Sequence, residues 1–248
     1  QLEGQIYTES ALQSLTQTAA GSYELSFGQT DGSVNMVEAD YVILAVPFQV
    51  LRSIDLQIDL PETLQRFIQE VNLGYNEKLF VGFRDRPWRQ ENGFLLDAWS
   101  DLGFAAAWEE TQRQPEQPHG ALTLFLSSQE VLNITAESLV QGQHLISVLD
   151  AMVPGMEAGM GDRTYRTDWL NDPYIGGGYT SFSPGQYWEF SEFMYIESDD
   201  PEERVDVHIG NLVFAGEHLS DEYYGYMNGA AQTGRLAAEV VINLMASA

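Results

Sequence analysis

Three stretches of this chain carry residue types that could do chemistry. The first is Asn211-Leu-Val-Phe-Ala-Gly-Glu-His-Leu-Ser220, continued by Asp221-Glu-Tyr-Tyr-Gly-Tyr-Met-Asn-Gly-Ala230. Its pattern predicts a buried strand at Leu212–Ala215, a glycine turn, an aromatic loop and a helix from near Met227. A strand feeding a helix N-terminus offers backbone N–H groups to an anionic or electron-rich ligand. Gly229, Ala230, Ala231, Gly234, Ala237 and Ala238 keep that helix slim. By residues alone, a helix packed tightly on a sheet fits slightly better.

The second stretch is Asp172-Pro-Tyr-Ile-Gly-Gly-Gly-Tyr-Thr-Ser-Phe-Ser-Pro-Gly185, preceded by Trp169. Aromatics and glycines this dense suit a planar ligand or an aromatic cluster beside a loop. The third is Lys78, the chain's one lysine, in Asn76-Glu-Lys-Leu-Phe-Val-Gly-Phe83. A lysine pushed into a core must pair, hydrate or lose its proton; at a strand start it can also stay in water.

Other chemistries are excluded or disfavoured. There is no cysteine, so disulfides, thiolate metal sites and cysteinyl flavin links are out. The four histidines (119, 144, 208 and 218) have no metal-ligand spacing. Eleven basic residues against thirty-seven acidic ones, net −26, do not make a nucleic-acid face or dock on anionic lipid. No apolar run reaches the ~20 residues of a membrane helix. The chain opens at Gln1 in mid-pattern, which suggests a missing upstream segment that would hold any localisation signal. The expectation is a soluble protein, with periplasm and exterior as options.

The elements that must position these residues mix helix and strand without strict alternation. That predicts an α/β fold with mixed α+β character. Ser22–Phe27, a turn at Gly28–Gly32 and Val34–Glu38 form a hairpin. Tyr41–Val46, stopped by Pro47, reads as a strand buried on both faces. Pro61–Glu70 reads as a helix with Leu64, Phe67 and Ile68 on one face. Lys78–Phe83, Gly93–Trp99, Gly103–Trp108 and Ala121–Leu126 read as strands. Thr135–Met152 reads as an amphipathic helix with a Ser or Thr cap.

The quoted strings resemble the flavin-dependent amine oxidases, the family of monoamine, polyamine and L-amino-acid oxidases. Phe214-Ala-Gly-Glu217, Gly225-Tyr-Met227 and Gly229-Ala230 carry the likeness, with Pro87-Trp88 after the Lys78 strand. The resemblance implies a two-domain fold: residues 1–51 and 191–248 in the FAD domain, 52–190 in the substrate domain. It implies that Gly216 and Glu217 meet the pyrophosphate and ribityl part of FAD, and that Gly225, Tyr226 and Met227 meet the ring. Trp169 would stand beside the flavin, and Leu12 would meet adenine through its backbone. Tyr179 and Tyr226 would flank the amine's path to the flavin. Lys78 would hold a water against flavin N5. Gly178 stands where the animal enzymes have the flavin-linked Cys, so FAD would be non-covalent.

The implied reaction is hydride transfer from the C–N carbon of an L-amino acid or amine to flavin N5. Imine hydrolysis and reduction of O2 to H2O2 follow. Processed two-chain oxidases of L-amino acids supply the analogy for preferring that substrate class. The alternatives are a flavin desaturase or porphyrinogen-type oxidase, and a non-catalytic subunit that completes a flavoprotein. The Gly-x-Gly-x-x-Gly turn that cradles pyrophosphate is absent from this sequence. Three explanations follow: a proteolytic piece of a processed precursor, one subunit of a two-gene heteromer, or an incomplete stretch of a longer chain; the mid-pattern start favours the first two, and a partner chain carrying that half is expected.

Overall fold

The structure, a computed structural model, describes residues 3–89, 97–134 and 136–247. Contacts divide it into two units: Gln1–Leu73 with Tyr179–Ala248, and Gly74–Gly178. These changeovers fall inside the boundaries expected at 51/52 and 190/191. The fold is mixed α/β with both parallel and antiparallel pairing.

The first unit contains a four-stranded sheet in the order Val34–Ala39, Tyr23–Gln29, Ser10–Gln17, Asp55–Gln57. The hairpin closes where Gln29 N–H donates to Ser33 O at 2.9 Å, with Gly32 at φ +83°. Both hairpin strands run on past the apolar pattern, to Gln29 and Ala39, because ladder bonds do not stop where hydrophobicity does. A three-stranded sheet runs His208–Ile209, Leu212–Phe214, Val42–Leu44, the last two strands parallel. Leu212, Val213 and Phe214 are fully buried. Val42–Leu44 departs from its expected double burial: it is an edge strand, and Ile43 is 41 % exposed.

Pro61 starts the helix Glu62–Glu70, which buries Leu64, Phe67 and Ile68 as its spacing requires. The helix Met227–Ser247 buries Gly229, Thr233, Leu236, Ala237 and Val240, one stripe at helical spacing. Burial of these two stripes with Phe48, Phe214 and Leu15 makes the unit's core.

The second unit is an antiparallel sheet in the order Met160–Arg166, Asn76–Phe83, Gly120–Ser127, Ala106–Glu109, Asp97–Trp99. Residues 93–96 of the strand expected at Gly93–Trp99 lie outside the described residues. Leu79, Val81, Phe83, Leu122, Leu124 and Leu126 point to one face and are buried with Leu145, Ile146 and Leu149 of the helix Ser138–Asp150. That helix has no side-chain cap. Ser138 instead turns its hydroxyl to Thr164 at 3.0 Å, crosslinking helix and strand. No helix among the described residues is long and apolar enough to cross a membrane.

Candidate functional site

The residues singled out in the sequence fall into two sets, one in each unit. In the first unit, Tyr179 leads into the short strand Thr180–Ser181, which pairs with Asn72–Leu73. Tyr226 and Met227 open the C-terminal helix. All three are open to solvent: Tyr179 44 %, Tyr226 69 % and Met227 89 %. Gly225 turns the chain just before Tyr226 at φ +82°, and a Cβ placed on it would stand 3.6 Å from Tyr179 Cδ2. The turn that precedes one tyrosine is thus packed against the ring of the other.

Glu217 ties this arrangement together. Its Oε1 accepts from Thr180 N–H at 2.8 Å and from the Thr180 hydroxyl at 2.7 Å. Its Oε2 accepts from Gly225 N–H at 2.5 Å. The preceding glycine is fixed to the helix: Gly216 N–H donates to Thr233 Oγ1 at 3.0 Å, and that hydroxyl donates to Gly216 O at 3.0 Å. Gly216 has φ +150°, and a Cβ there would lie 2.3 Å from the His218 ring, so only glycine fits. His218 is buried edge-on to Phe48, and its Nε2 has no hydrogen-bond partner. Burial lowers the His218 pKa to about 3, keeping the ring neutral.

Leu12 lies in the four-stranded sheet, partly buried against the core of the first unit. Its pairing with Phe27 is followed at once by a register break. A break of this kind re-aims the backbone next to it.

In the second unit the strand Asn76–Phe83 alternates. Glu77 shares the core face with Leu79, Val81 and Phe83, while Lys78 shares the other face with Phe80 and Gly82. The Lys78 ammonium sits 5.5 Å from the centroid of Trp108 and 6.0 Å from that of Trp169, in cation–π range of both. The buried Glu77 carboxylate accepts from the Thr167 hydroxyl and, at 3.0 Å, from Leu170 N–H. It therefore clips the turn that carries Trp169. Lys78 N–H closes the link by donating to Thr167 Oγ1 at 2.8 Å. Gly178 lies against Asn76: a Cβ there would stand 2.7 Å from Asn76 Oδ1 and 2.8 Å from Asn76 Cβ.

Sequence reading did not single out Glu77, Thr167, Thr180 or Trp108. The alternation Glu77, Leu79, Val81, Phe83 was the available signal for an acid on the core side.

A family model described as flavin containing amine oxidoreductase matches residues 1–242. The chain belongs to that family. Among its flavin amine oxidase relatives is polyamine oxidase 1 of Zea mays, 27 % identical over 214 residues, which are 84 % of this chain and 40 % of that protein. Amine oxidase [flavin-containing] B of Cavia porcellus is 25 % identical over 210 residues, 83 % of this chain and 38 % of the relative. Among solved structures, wild-type putrescine oxidase bound to putrescine superposes with a TM-score of 0.73 at 22 % identity. That match covers 94 % of this chain and 48 % of the neighbour. Cyclohexylamine oxidase from Brevibacterium oxydans IH-35A gives 0.74 at 20 %, with the same coverage. The chain thus spans under half the length of these relatives.

Membership in this family implies a flavin cofactor, and the residues present fit one. The first turn of the C-terminal helix faces solvent at Met227 while Gly229 and Thr233 behind it are buried. Gly229 lets the helix approach the preceding loop, since a Cβ there would lie 2.4 Å from Tyr223 O. An accessible helix N-terminus of this length favours negative charge.

Proposed function

We propose that this chain forms part of a flavin-dependent oxidase of amines. The observation that carries the reading is the approach of the Tyr179 ring to the Gly225 turn, the residue before Tyr226. Residues far apart in sequence thereby offer two solvent-facing phenol rings at one helix N-terminus. Electron-rich ring faces orient an amine nitrogen and its lone pair.

A bound flavin, FAD held non-covalently, supplies the two-electron acceptor for the C–N carbon. Glu217, Tyr226 and Met227, on the turns that Gly216 and Gly225 make, would hold it. Tyr179 and Tyr226 align the donor. Lys78, with Trp108 and Trp169 beside its ammonium, keeps a water for imine hydrolysis or for the step with O2. The remaining cofactor contacts come from sequence outside these residues, on a partner chain or a longer form of this one. Two facts support that: the chain spans under half of its relatives, and Val42–Leu44 ends its sheet with Ile43 exposed.

An amine is favoured over an L-amino acid. The relatives named above are enzymes of amines by their names. A net charge of −26 adds a field that concentrates cationic amines.

The test is peroxide release and flavin bleaching by the assembled protein across monoamines, diamines, polyamines and L-amino acids. Turnover of amines, lost in Tyr226→Ala and slowed in Lys78→Met, is expected. Turnover of L-amino acids alone overturns the substrate class. Bleaching by neither class leaves the desaturase or porphyrinogen-type alternative. Full activity in both variants makes the chain a non-catalytic partner.

A further inference from the structure

We propose that Glu110 selects for diamines: its carboxylate holds the charged far nitrogen of a diamine while the near nitrogen reacts beside Lys78. The inference rests on the amine oxidase reading and narrows it to one kind of amine.

The ladder of the second unit's sheet puts six of the residues concerned on its outer face. Lys78 lies opposite Phe125, Phe80 opposite Thr123, and Thr123 opposite Trp108. Glu110, two residues after Trp108, shares that face. Tyr165 and Trp99 on the flanking strands share it too, and they are 65 % and 84 % exposed, so the face is open at both margins. Glu110 is fixed in place. Its Oε1 accepts from Trp108 Nε1–H at 2.7 Å and from the hydroxyl of fully buried Thr123 at 2.5 Å. Its Oε2 has no hydrogen-bond partner among the described residues, and the side chain is exposed. Its charge is not neutralised locally either: Arg86 and Arg89 pair with Glu109, on the core face.

Lys78 and Glu110 meet the same indole at different places. The ammonium lies 5.5 Å from the ring centroid, and the carboxylate sits on the N–H edge. The face is therefore positive at one end of Trp108 and negative at the other. A reacting diamine has the matching asymmetry. Its near nitrogen must be neutral to release electrons from the C–N carbon, and a neighbouring ammonium disfavours the protonated form. Its far nitrogen stays protonated and takes a carboxylate oxygen with a free lone pair. The methylenes between them suit the rings of Trp108, Phe80 and Phe125. A monoamine leaves Glu110 without a partner.

The experiment compares a four-carbon diamine with butylamine on the flavin-loaded, assembled protein. It reads kcat/KM for each and, without turnover, the NMR signal of the Trp108 indole N–H, identified by its absence in Trp108→Phe. Glu110→Gln keeps an accepting oxygen and the shape but removes the charge. It should lower kcat/KM for the diamine about 20-fold, through KM, and for butylamine less than about twofold. Glu116→Gln, which removes an exposed acid from a loop, should change neither. The diamine should shift the indole signal more than butylamine does, and Glu110→Gln should abolish that difference. Equal losses for the two amines overturn the proposal. So does an equal loss in Glu116→Gln, which would make overall charge the cause, and so does an indole signal that answers both amines alike. A diamine that shifts the signal through Glu110 but is not oxidised upholds the contact and overturns the amine oxidase reading instead.

Discussion

Gly178 shows how one missing atom constrains a site. The place a Cβ would take lies 2.7 Å from Asn76 Oδ1 and 2.8 Å from Asn76 Cβ. The second contact is to the root of the side chain, so rotating Asn76 cannot relieve it. Asn76 Oδ1 is itself buried without a hydrogen-bond partner, facing the glycine. Gly178→Ala should therefore destabilise the protein by about 1–3 kcal/mol in urea unfolding, through overpacking. Combined with Asn76→Gly, which removes both contacting atoms, it should cost less than the sum of the two single changes, because contacting residues couple. An additive double mutant would show that the crowding is not the cause. A cysteine at this position would meet the same obstacle.

The strand Asn76–Phe83 is the element that joins chemistry to scaffold. Its two-residue period sends Glu77 inward and Lys78 outward, so one strand both clips the Trp169 turn and presents the ammonium to Trp108 and Trp169. Glu77→Gln keeps the shape but leaves either the Thr167 hydroxyl or the Leu170 N–H without its charged acceptor. A loss of about 2 kcal/mol is expected, with faster amide exchange at Leu170; unchanged exchange there would mean the turn holds itself. The helix Glu62–Glu70 and its buried face could be read directly from spacing, because apolar periodicity is a local signal. So could the hairpin, from its glycine turn, and the family, from strings around Gly216 and Tyr226. The clamps were not legible. Glu217 reaches Thr180 across 37 positions and Glu77 reaches Thr167 across 90, and one sequence gives no measure of such pairings. The register break beside Leu12 and the edge position of Val42–Leu44 were equally hidden, since registers and sheet edges depend on the whole topology.

The pH response of the whole molecule should carry the imprint of His218. Its folded pKa is lowered to about 3 by burial, while in the unfolded chain it titrates near its ordinary value of ~6.5. Stability owed to the neutral ring is therefore present above ~6.5 and lost as pH falls toward ~3, because only the unfolded state takes up the proton. Between pH 7 and pH 5 the loss amounts to about 2 kcal/mol. Urea midpoints at the two pH values should differ less in His218→Gln than in the natural protein, the carboxylate background being common to both; equal differences would rule this account out. At the same scale, the strand Val34–Ala39 bounds its sheet with Val34, Met36 and Val37 exposed, and Val42–Leu44 bounds another with Ile43 exposed. Such edges are templates on which any extended segment can crystallise into a ladder. A net charge of −26 holds identical copies apart, and that protection fades as ions shorten the reach of the field to ~8 Å at physiological strength. For the newly made chain, acidity thus acts as an inhibitor of self-templating.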